Sequence, residues 1–372
     1  MAENDKSIVI CSNYAWTIYN FRMHLIKELK NLNYKVIVIT QLDGYEKYLM
    51  EYVDEVIPLF ISRKGINPFV DFITFLDLFI KFRKLRPKFV LLFTIKPVIY
   101  GSIASRILNI KSISMITGLG TAFLQKKWLS DLVKRLYKIA LKKSYRVFFQ
   151  NVDDQEIFKR AQLVDSNISR LVPGSGIDLK KFTGTELKNE KSLTFSFIGR
   201  MIRDKGVNDF IEAAKIVKAK KPNVIFNLIG PLNVENRSAI NQSQIKKWVY
   251  EGFVNYLGET NDIINLINKS SCIVLPSYRE GTSRVLLEAA SLCRPIIASD
   301  VPGCREVIED GYNGYLFEVR NPNELSSKIF KMISLSHDER KQMGLNGRKK
   351  MEREFDQNFV TNEYLEAIKF MN

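Results

Sequence analysis

Two glutamates, eight residues apart, are the residues of this chain whose types and spacing best suit ligand chemistry. Glu280 stands in an exposed turn after the apolar run Cys272–Leu275. Glu288 follows in a helical pattern that Thr282 or Ser283 can cap. The pattern predicts a strand, a turn and a helix, and small ligands bind where strands end in an α/β sheet. Two carboxylates there can accept hydrogen bonds from the vicinal hydroxyls of a polyhydroxylated ligand. The alternative is a pair of solvated surface glutamates.

Two cations occupy a second strand–loop–helix pattern. Arg200 and Lys205 follow the apolar run 193–198 and precede a helical pattern that begins at Val207. Positive charges beside the unpaired backbone N–H groups of a helix N-terminus make a diphosphate site, and the alternative is a solvated basic loop. The sequence contains no Asp-x-Asp triplet, whereas a metal-bridged diphosphate needs clustered carboxylates. We therefore expect no metal site and no cofactor, with Arg200, Lys205 and a helix N-terminus neutralising the diphosphate.

Strand-sized apolar runs alternate with helical patterns along the 372-residue chain. This alternation predicts an α/β fold with parallel sheets covered on both faces. It restarts after the turn-rich stretch 173–176, so we expect two doubly wound domains, residues 1–175 and 176–354, with a terminal helix at 355–372. The predicted strands are residues 8–11, 36–40, 89–93, 113–116, 147–149, 170–172, 193–198, 224–229, 254–257, 272–275, 295–298 and 314–317.

The four cysteines and the lengths of the apolar runs indicate an intracellular protein. Cys11, Cys272, Cys293 and Cys304 lie apart, mostly in apolar runs, which is typical of reduced core residues. No signal peptide is evident at the N-terminus, and the longest uncharged stretch, 112–125, is too short to span a bilayer. We expect a cytoplasmic location.

The net charge of +16 is concentrated in the first half of the chain, and residues 81–146 hold 16 basic residues and one acid. A basic face normally indicates a polyanionic partner. Residues 126–143 and 69–86 form amphipathic helical patterns, whose apolar sides either face the core or a membrane. Near an anionic leaflet each Lys or Arg contributes about 1 kcal/mol. Our hypothesis is that the first domain docks on the inner leaflet of the cytoplasmic membrane.

The residues around the two glutamates resemble a known family signature. The segment Ser-Tyr-Arg-Glu280-Gly-Thr-Ser-Arg-Val-Leu-Leu-Glu288 is similar to that of retaining, nucleotide-sugar-dependent glycosyltransferases of family 4. The similarity continues through residues 294–314, 197–206 and 12–22, and so covers essentially the whole chain. It is closest to the branch that builds lipid-linked capsule, O-antigen and N-glycan precursors in bacteria. The resemblance implies the GT-B fold, in which two Rossmann-like domains face each other across a cleft and the terminal helix crosses back onto the first domain.

The resemblance also implies roles in binding a nucleotide-sugar donor. Arg200 and Lys205 match the family's diphosphate-binding pair, Glu280 matches the carboxylate that contacts the donor sugar, and Glu288 matches the one that holds the ribose hydroxyls. We expect Glu280, Arg200 and Lys205 to be catalytic. The remaining donor-binding residues are expected to be Glu288, Gly199, Gly281, Thr282, Ser283 and Arg284.

The acceptor side is expected in the first domain. Many relatives have a Gly-rich loop after the first strand, and this chain instead has a polar and aromatic segment, in which Trp16 and Tyr19 either stack on a sugar or pack the loop. Its two histidines are His24 and His337, neither near the position where the family often has a catalytic histidine. The residues expected on the acceptor side are Asn13, Trp16, Tyr19, Arg22, Gly118 and Gly120.

The resulting hypothesis is transfer of a hexose or N-acetylhexosamine from a UDP-sugar to a polyprenyl-diphosphate-linked saccharide, without metal. One alternative is a nucleic-acid-binding protein that uses residues 81–146, although no recognised module accompanies the charge. Another is a sugar-nucleotide epimerase with a GT-B-like fold, which the scarcity of histidine disfavours.

Overall fold

The computed structural model describes residues 6–62, 67–119, 127–232, 236 and 238–370, and for 127–129 it describes the backbone alone. The chain divides into two compact units. The first unit consists of residues 1–176 and 357–372, and the second of residues 177–356.

The first unit is a seven-stranded parallel sheet with helices. Its strands are β1 (Ser7–Ser12), β2 (Lys35–Thr40), β3 (Glu55–Pro58), β4 (Phe89–Phe93), β5 (Lys111–Ile116), β6 (Arg146–Phe149) and β7 (Ser169–Leu171). Its helices are α1 (Ala15–Phe21), α2 (Met23–Asn31), α3 (Glu46–Leu49), α4 (Pro68–Leu85), α5 (Ser102–Ile107), α6 (Lys127–Leu141), α7 (Val152–Arg160) and, from the end of the chain, α14 (Gln357–Lys369). The strand order is β3-β2-β1-β4-β5-β6-β7.

Both faces of this first sheet are buried. Successive side chains of a strand point to opposite faces, so neighbouring residues of β1 pack in different core clusters. In β1, Val9 lies in a core cluster with Phe82 of α4. Its neighbour Ile10 lies in a second cluster with Leu29 of α2 and Tyr364 of α14. Helix α14 therefore completes the core of the first unit.

The second unit is a six-stranded parallel sheet. Its strands are β8 (Thr194–Ile198), β9 (Ile225–Ile229), β10 (Asn255–Tyr256), β11 (Cys272–Leu275), β12 (Ile296–Ser299) and β13 (Gly314–Phe317). Its helices are α8 (Val207–Lys220), α9 (Gln242–Tyr250), α10 (Ile263–Asn268), α11 (Arg284–Ser291), α12 (Pro322–Ser334) and α13 (His337–Glu354). The strand order is β10-β9-β8-β11-β12-β13.

The predicted α/β fold with two doubly wound parallel sheets is confirmed. Each predicted strand overlaps an observed one, and β3 is the strand that the prediction missed. This four-residue strand lies at the edge of its sheet with exposed ends, and so lacks the continuous apolar run of the central strands. Among the described residues, no helix is both long and apolar enough to cross a bilayer.

Candidate active site

Strands β8 and β11 lie side by side in the middle of the second sheet. The chain runs from β8 to β9 on one side and from β11 to β12 on the other, so the winding direction reverses between them. The loops after β8 and β11 meet at this point, where the backbone N–H of Tyr278 donates to the carbonyl of Asp204 at 2.9 Å. Ligands of open α/β sheets bind outside the carboxyl ends of strands at such a reversal.

Lys205 and Glu280 form an ion pair across these two loops. Lys205 ends the 3-10 turn Arg203–Lys205, and Glu280 stands in the turn after β11. The Glu280 side chain is 12% exposed, so its charge is largely shielded from water. Its backbone N–H donates to the carbonyl of Pro302 at 3.1 Å, which adds the loop after β12 to the same site. Two of the three residues expected to be catalytic are thus in direct contact.

Two glycines allow these loops to approach so closely. Gly206 has φ +73°, and a Cβ there would lie 1.9 Å from the carbonyl oxygen of Pro276. Gly303 has φ +82°, and a Cβ there would lie 2.6 Å from the Cβ of Glu280. Other residues rarely adopt this left-handed backbone, and here their side chains would also collide with the neighbouring loop. Neither glycine was among the expected site residues, although both lie within the segments that resemble the family.

Glu288 forms a second ion pair, with Arg284 in the preceding turn of α11. The Nε of Arg284 donates to Oε1 of Glu288 at 3.0 Å, and the Glu288 side chain is 14% exposed. The guanidinium of Arg284 also lies 5.7 Å from the ring centroid of Phe182. Burial raises the pKa of the Glu288 carboxyl above its ordinary 4.5, and the charges of Arg284 and Lys181 oppose that rise.

The raised pKa predicts a pH dependence of stability. A carboxyl with a higher pKa in the folded than in the unfolded state binds protons better when folded, so its stabilising contribution is complete below about pH 4.5 and is lost as the pH rises through the folded pKa. We expect Glu288→Gln to remove this loss. Between about pH 4.5 and the raised pKa of the folded state, the slope of the unfolding free energy against pH then becomes less negative. The change is up to about 1.4 kcal/mol per pH unit.

Urea unfolding of the wild type and of Glu288→Gln between about pH 4.5 and pH 7.5 measures this difference. Glu212→Gln, at a carboxylate in α8 whose side chain is 53% exposed, serves as the control and should follow the wild type. Parallel curves for the wild type and Glu288→Gln would contradict the prediction.

The N-terminus of α11 differs from the expectation. Ser283 occupies the N-cap position, but its side chain makes no capping hydrogen bond, so the prediction that Thr282 or Ser283 caps the helix is wrong in this respect. Ser283 is instead fixed through its backbone, since its N–H donates to the carbonyl of Gly303 at 2.9 Å. Gly281 and Thr282 lie half-buried in the turn between Glu280 and this helix.

Gly199 and Arg200 begin the loop that leads to Lys205. The N–H of Gly199 donates to the carbonyl of Ile229 at 2.9 Å, so the ends of β8 and β9 are joined. The Arg200 side chain is exposed, and no described residue forms an ion pair with it. The structure thus pairs Lys205 with Glu280 and Arg284 with Glu288, and leaves Arg200 open to solvent on the loop it shares with Lys205.

A tyrosine that the sequence did not single out supports the Glu280 turn. Tyr278 lies close enough to Asp209, in the first turn of α8, for each to influence the pKa of the other. The guanidinium of Arg320 lies 4.6 Å from the Tyr278 ring centroid. Burial raises the pKa of Asp209, and the Tyr278 side chain and the Arg320 charge oppose the rise. These residues come from three separate segments, so no local spacing could have indicated the cluster.

In the first unit, the winding direction reverses between β1 and β4. Asn13 follows β1, and its N–H donates to the hydroxyl oxygen of Thr94, after β4, at 3.2 Å. The side-chain oxygen of Asn13 is buried without a hydrogen-bond partner among the described residues. Thr94 has the left-handed φ of +68°, which is uncommon for a β-branched residue. The expected acceptor-side residue Asn13 therefore lies at the edge of the sheet where ligands bind.

The aromatic residues of the acceptor-side segment have different environments. Tyr19 packs against Tyr45 and Tyr48, with ring centroids 5.7 and 5.5 Å apart. Trp16 is exposed and makes an edge contact with Phe21 at 5.3 Å. Tyr19 thus packs its loop within a tyrosine cluster, and Trp16 keeps one side open to solvent.

The remaining acceptor-side residues and His24 have different positions. Arg22 is buried, with its guanidinium 4.3 Å from the ring centroid of Phe93. A ring nitrogen of His24 is hydrogen-bonded to the side-chain oxygen of Asn358 in α14 at 2.8 Å. Gly118 follows β5 with φ +118°, and Gly120 lies outside the described residues. In the described ranges, no three His, Cys, Asp or Glu side chains are grouped so that they could hold a metal ion.

Two family models match the chain. Residues 8–151 match "Glycosyl transferase 4-like", and residues 180–350 match "Glycosyl transferases group 1". The chain belongs to this glycosyltransferase family and is a hexosyltransferase with the GT-B fold. This membership leaves the nucleic-acid-binding and epimerase alternatives without support.

Two relatives and one solved structure are similar to most of the chain or nearly all of it. The N,N'-diacetylbacillosaminyl-diphospho-undecaprenol alpha-1,3-N-acetylgalactosaminyltransferase of Campylobacter jejuni is 30% identical over 95% of this chain and 96% of its own length. The UDP-Gal:alpha-D-GlcNAc-diphosphoundecaprenol alpha-1,3-galactosyltransferase of Escherichia coli is 28% identical over 78% of each chain. The crystal structure of Anabaena Alr3699/HepE in complex with UDP and glucose aligns with a TM-score of 0.78 at 18% identity, over 97% of this chain and 99% of that one.

Proposed function

We propose that this enzyme transfers a hexose or N-acetylhexosamine from a UDP-sugar to a saccharide linked to polyprenyl diphosphate, with retention of anomeric configuration, in bacterial glycan synthesis. The observation that carries the proposal is the Lys205–Glu280 ion pair at the reversal point between β8 and β11. It is supported by the Campylobacter and Escherichia relatives, whose names state diphospho-undecaprenol acceptors and alpha linkages.

The second unit is the donor-binding part of this proposal. Arg200, Lys205 and the N-terminus of α11 neutralise the diphosphate, because positive side chains and the helix dipole favour an anion there. Glu280 accepts hydrogen bonds from the donor sugar, and Glu288 accepts them from the ribose hydroxyls. Gly199, Gly281, Thr282, Ser283 and Arg284 form the surrounding donor-binding loops.

Each proposed donor-binding carboxylate is paired with a cation of the chain. Donor binding exchanges these partners, since Lys205 turns from Glu280 to the diphosphate and leaves the carboxylate to the sugar hydroxyls. The ion pair thus keeps both charges at the proposed donor site, and donor binding gives each of them a new partner.

The proposed chemical step is attack by the acceptor hydroxyl on the anomeric carbon, on the face from which UDP leaves. The glycosidic bond forms as the bond from the anomeric carbon to the phosphate oxygen breaks. A donor phosphate oxygen accepts the acceptor proton, and the electron pair of the broken bond leaves with UDP. The protein contributes orientation and stabilisation of the diphosphate charge.

The first unit is the acceptor-binding part of the proposal. Asn13 offers a buried, unpaired side-chain oxygen at the sheet edge, and Trp16 offers an exposed ring for stacking on a sugar. Gly118 belongs to the loop after β5, Gly120 is proposed from the sequence alone, and Tyr19 supports its own segment through the tyrosine cluster. Arg22 acts from beneath this surface, because it is buried against Phe93.

The proposal includes transfer without a metal ion, because cationic side chains and a helix N-terminus supply the positive charge that the leaving diphosphate needs. We expect a chelator to leave the rate of transfer from a UDP-sugar to an undecaprenyl-diphosphate-linked saccharide within about twofold. Thermal-shift screening of UDP-, GDP- and dTDP-sugars selects the donor, and product analysis by NMR reports the anomeric configuration. Abolition of transfer by the chelator would refute the metal-independent step, and failure with every UDP-sugar would refute the donor class.

The proposed location is the inner face of the cytoplasmic membrane, to which the enzyme binds peripherally. The acceptor is a membrane lipid, and the basic region 81–146 is attracted to anionic headgroups. Nucleic acid is not among the proposed partners.

A further inference from the structure

Helix α4 in the first unit has an exposed apolar face. Phe69 is 80% exposed, Phe72 58% and Ile80 61%, and Ile73 and Leu76 between them are also exposed. Their spacing places all five on one side of the helix. The opposite side is anchored in the core by Leu78 and Phe82, and the side chain of Asn67 accepts hydrogen bonds from the first-turn N–H groups. The exposed face is therefore carried by a well-anchored helix.

Helices α5 and α6 contact α4 or each other and extend this face. Ile107 of α5 and Ile139 of α6 are exposed, and Nη1 of Arg106 donates to the carbonyl of Ile139 at 2.8 Å. Leu132 is exposed on the same side of α6 as Ile139. The sequence indicated one apolar side for α6. In the structure, part of that side is exposed and part faces the core. Its core-facing residues are Val133, Tyr137, Ala140 and Leu141.

Exposed basic residues lie on α4 and α6 and in the turn directly after α6. The exposed cations are Arg83, Lys84, Arg135, Lys138, Lys142 and Lys143. Asp131 is the one exposed acid in the described parts of α4, α5 and α6, since Asp71 is buried and Asp77 is partly buried in an ion pair with Lys81. Exposed apolar side chains on helices that also carry many exposed cations complement an anionic lipid surface.

We propose that this face of α4, flanked by α5 and α6, inserts into an anionic lipid leaflet with the axis of α4 in the membrane plane. The proposal rests on the proposed function for the nature of the acceptor and identifies the surface by which the enzyme reaches it. It differs from attachment by lysines alone, because the apolar residues of α4 contribute a part of the binding that salt does not screen.

An ion pair connects the inserted helix to the acceptor side of the same unit. Nζ of Lys96, at the start of the helical segment that follows β4, lies 2.6 Å from Oδ1 of Asp71 in the first turn of α4. Burial and the neighbouring Asp71 carboxylate together raise the pKa of Tyr100. Lys96 lies two residues after Thr94, which contacts Asn13 at the reversal point between β1 and β4. The amino-terminal end of α4 therefore lies next to the sheet edge where we place the acceptor.

The test is flotation with phosphatidylglycerol-containing vesicles at low and high salt. We expect the wild type to float at both, and the double variant Phe72→Glu/Ile80→Glu to bind at least about tenfold more weakly at both. The double variant Lys142→Glu/Lys143→Glu should lose binding mainly at low salt. The matched control is Tyr250→Glu/Leu257→Glu, which places the same charges at two exposed apolar residues of the second unit.

Two outcomes would overturn the proposal. One is flotation of Phe72→Glu/Ile80→Glu equal to that of the wild type. The other is a wild-type dimer in light scattering that this variant makes monomeric, without vesicle binding by either, because a second copy of the chain would then cover the face. Transfer to a water-soluble acceptor analogue tests the proposed function separately from membrane binding. We expect Phe72→Glu/Ile80→Glu to retain this transfer. Normal flotation without transfer would contradict the proposed function alone.

Discussion

Replacing Lys205 with methionine is expected to lower kcat/KM for sugar transfer by about a hundred- to a thousandfold. The ammonium lies against Glu280 in a partly buried site, where a charge acts more strongly than in water. In the proposed donor site, its loss leaves the departing UDP without one of its stabilising cations, and the unpaired Glu280 carboxylate adds repulsion. We expect most of the loss in kcat, because negative charge on the leaving oxygen is greatest in the transition state.

Steady-state kinetics and UDP binding by calorimetry measure these effects. Lys205→Arg keeps the charge and should retain more activity than Lys205→Met. Lys246→Met, at an exposed position of α9, should leave both measurements unchanged. Wild-type kcat/KM in folded Lys205→Met would remove Lys205 from the catalytic assignment.

Gly206→Ala is expected to destabilise the second unit by about 2–5 kcal/mol and to weaken UDP binding. About 1–2 kcal/mol comes from the left-handed backbone at φ +73°. The rest arises because the new Cβ would lie 1.9 Å from the carbonyl oxygen of Pro276, which must move. Since Lys205 precedes this glycine and Glu280 follows Pro276 by four residues, the shift also separates the ion pair.

Gly252→Ala provides a matched control, because Gly252 has φ +74° and nothing within 4 Å of its Cβ position. Gly252→Ala should lower the unfolding free energy only by the amount that the left-handed backbone conformation costs an alanine. Urea unfolding and UDP titration of both variants make the comparison. Equal stabilities and equal UDP affinities would show that the close contact of the two loops has no energetic importance.

Much of the second unit could be predicted from local pattern. The bounds of β11 agree with the apolar run Cys272–Leu275, because β-branched residues fill a buried strand and Pro276 ends it. The expectation that Lys205 and Glu280 lie together came instead from resemblance to a family. The two residues are 75 positions apart, and spacing within one strand–loop–helix segment does not reveal which strand will be its neighbour.

What the sequence could not indicate depends on three-dimensional proximity. Tyr278 lies close to Asp209, and the Arg320 guanidinium covers its ring, although the three residues belong to segments distant in the chain. The uncapped Ser283 shows the same limit, since serine is a favoured cap and its hydroxyl position depends on the neighbouring loop. For α4, the helical period identified an apolar stripe, and the structure shows that much of that stripe lacks a covering layer.

Helix α14 has a consequence for the order in which the nascent chain can fold. Its Tyr364 packs against Phe93 and Phe148 in the first unit, at centroid distances of 5.9 and 4.8 Å. The ribosome adds the whole second unit, about 180 residues, before α14 is made, which takes roughly 10–40 s at ordinary translation speed. Throughout that interval the amino-terminal sheet exposes these phenylalanines. The core of the first unit therefore becomes complete only after the second unit has been synthesised.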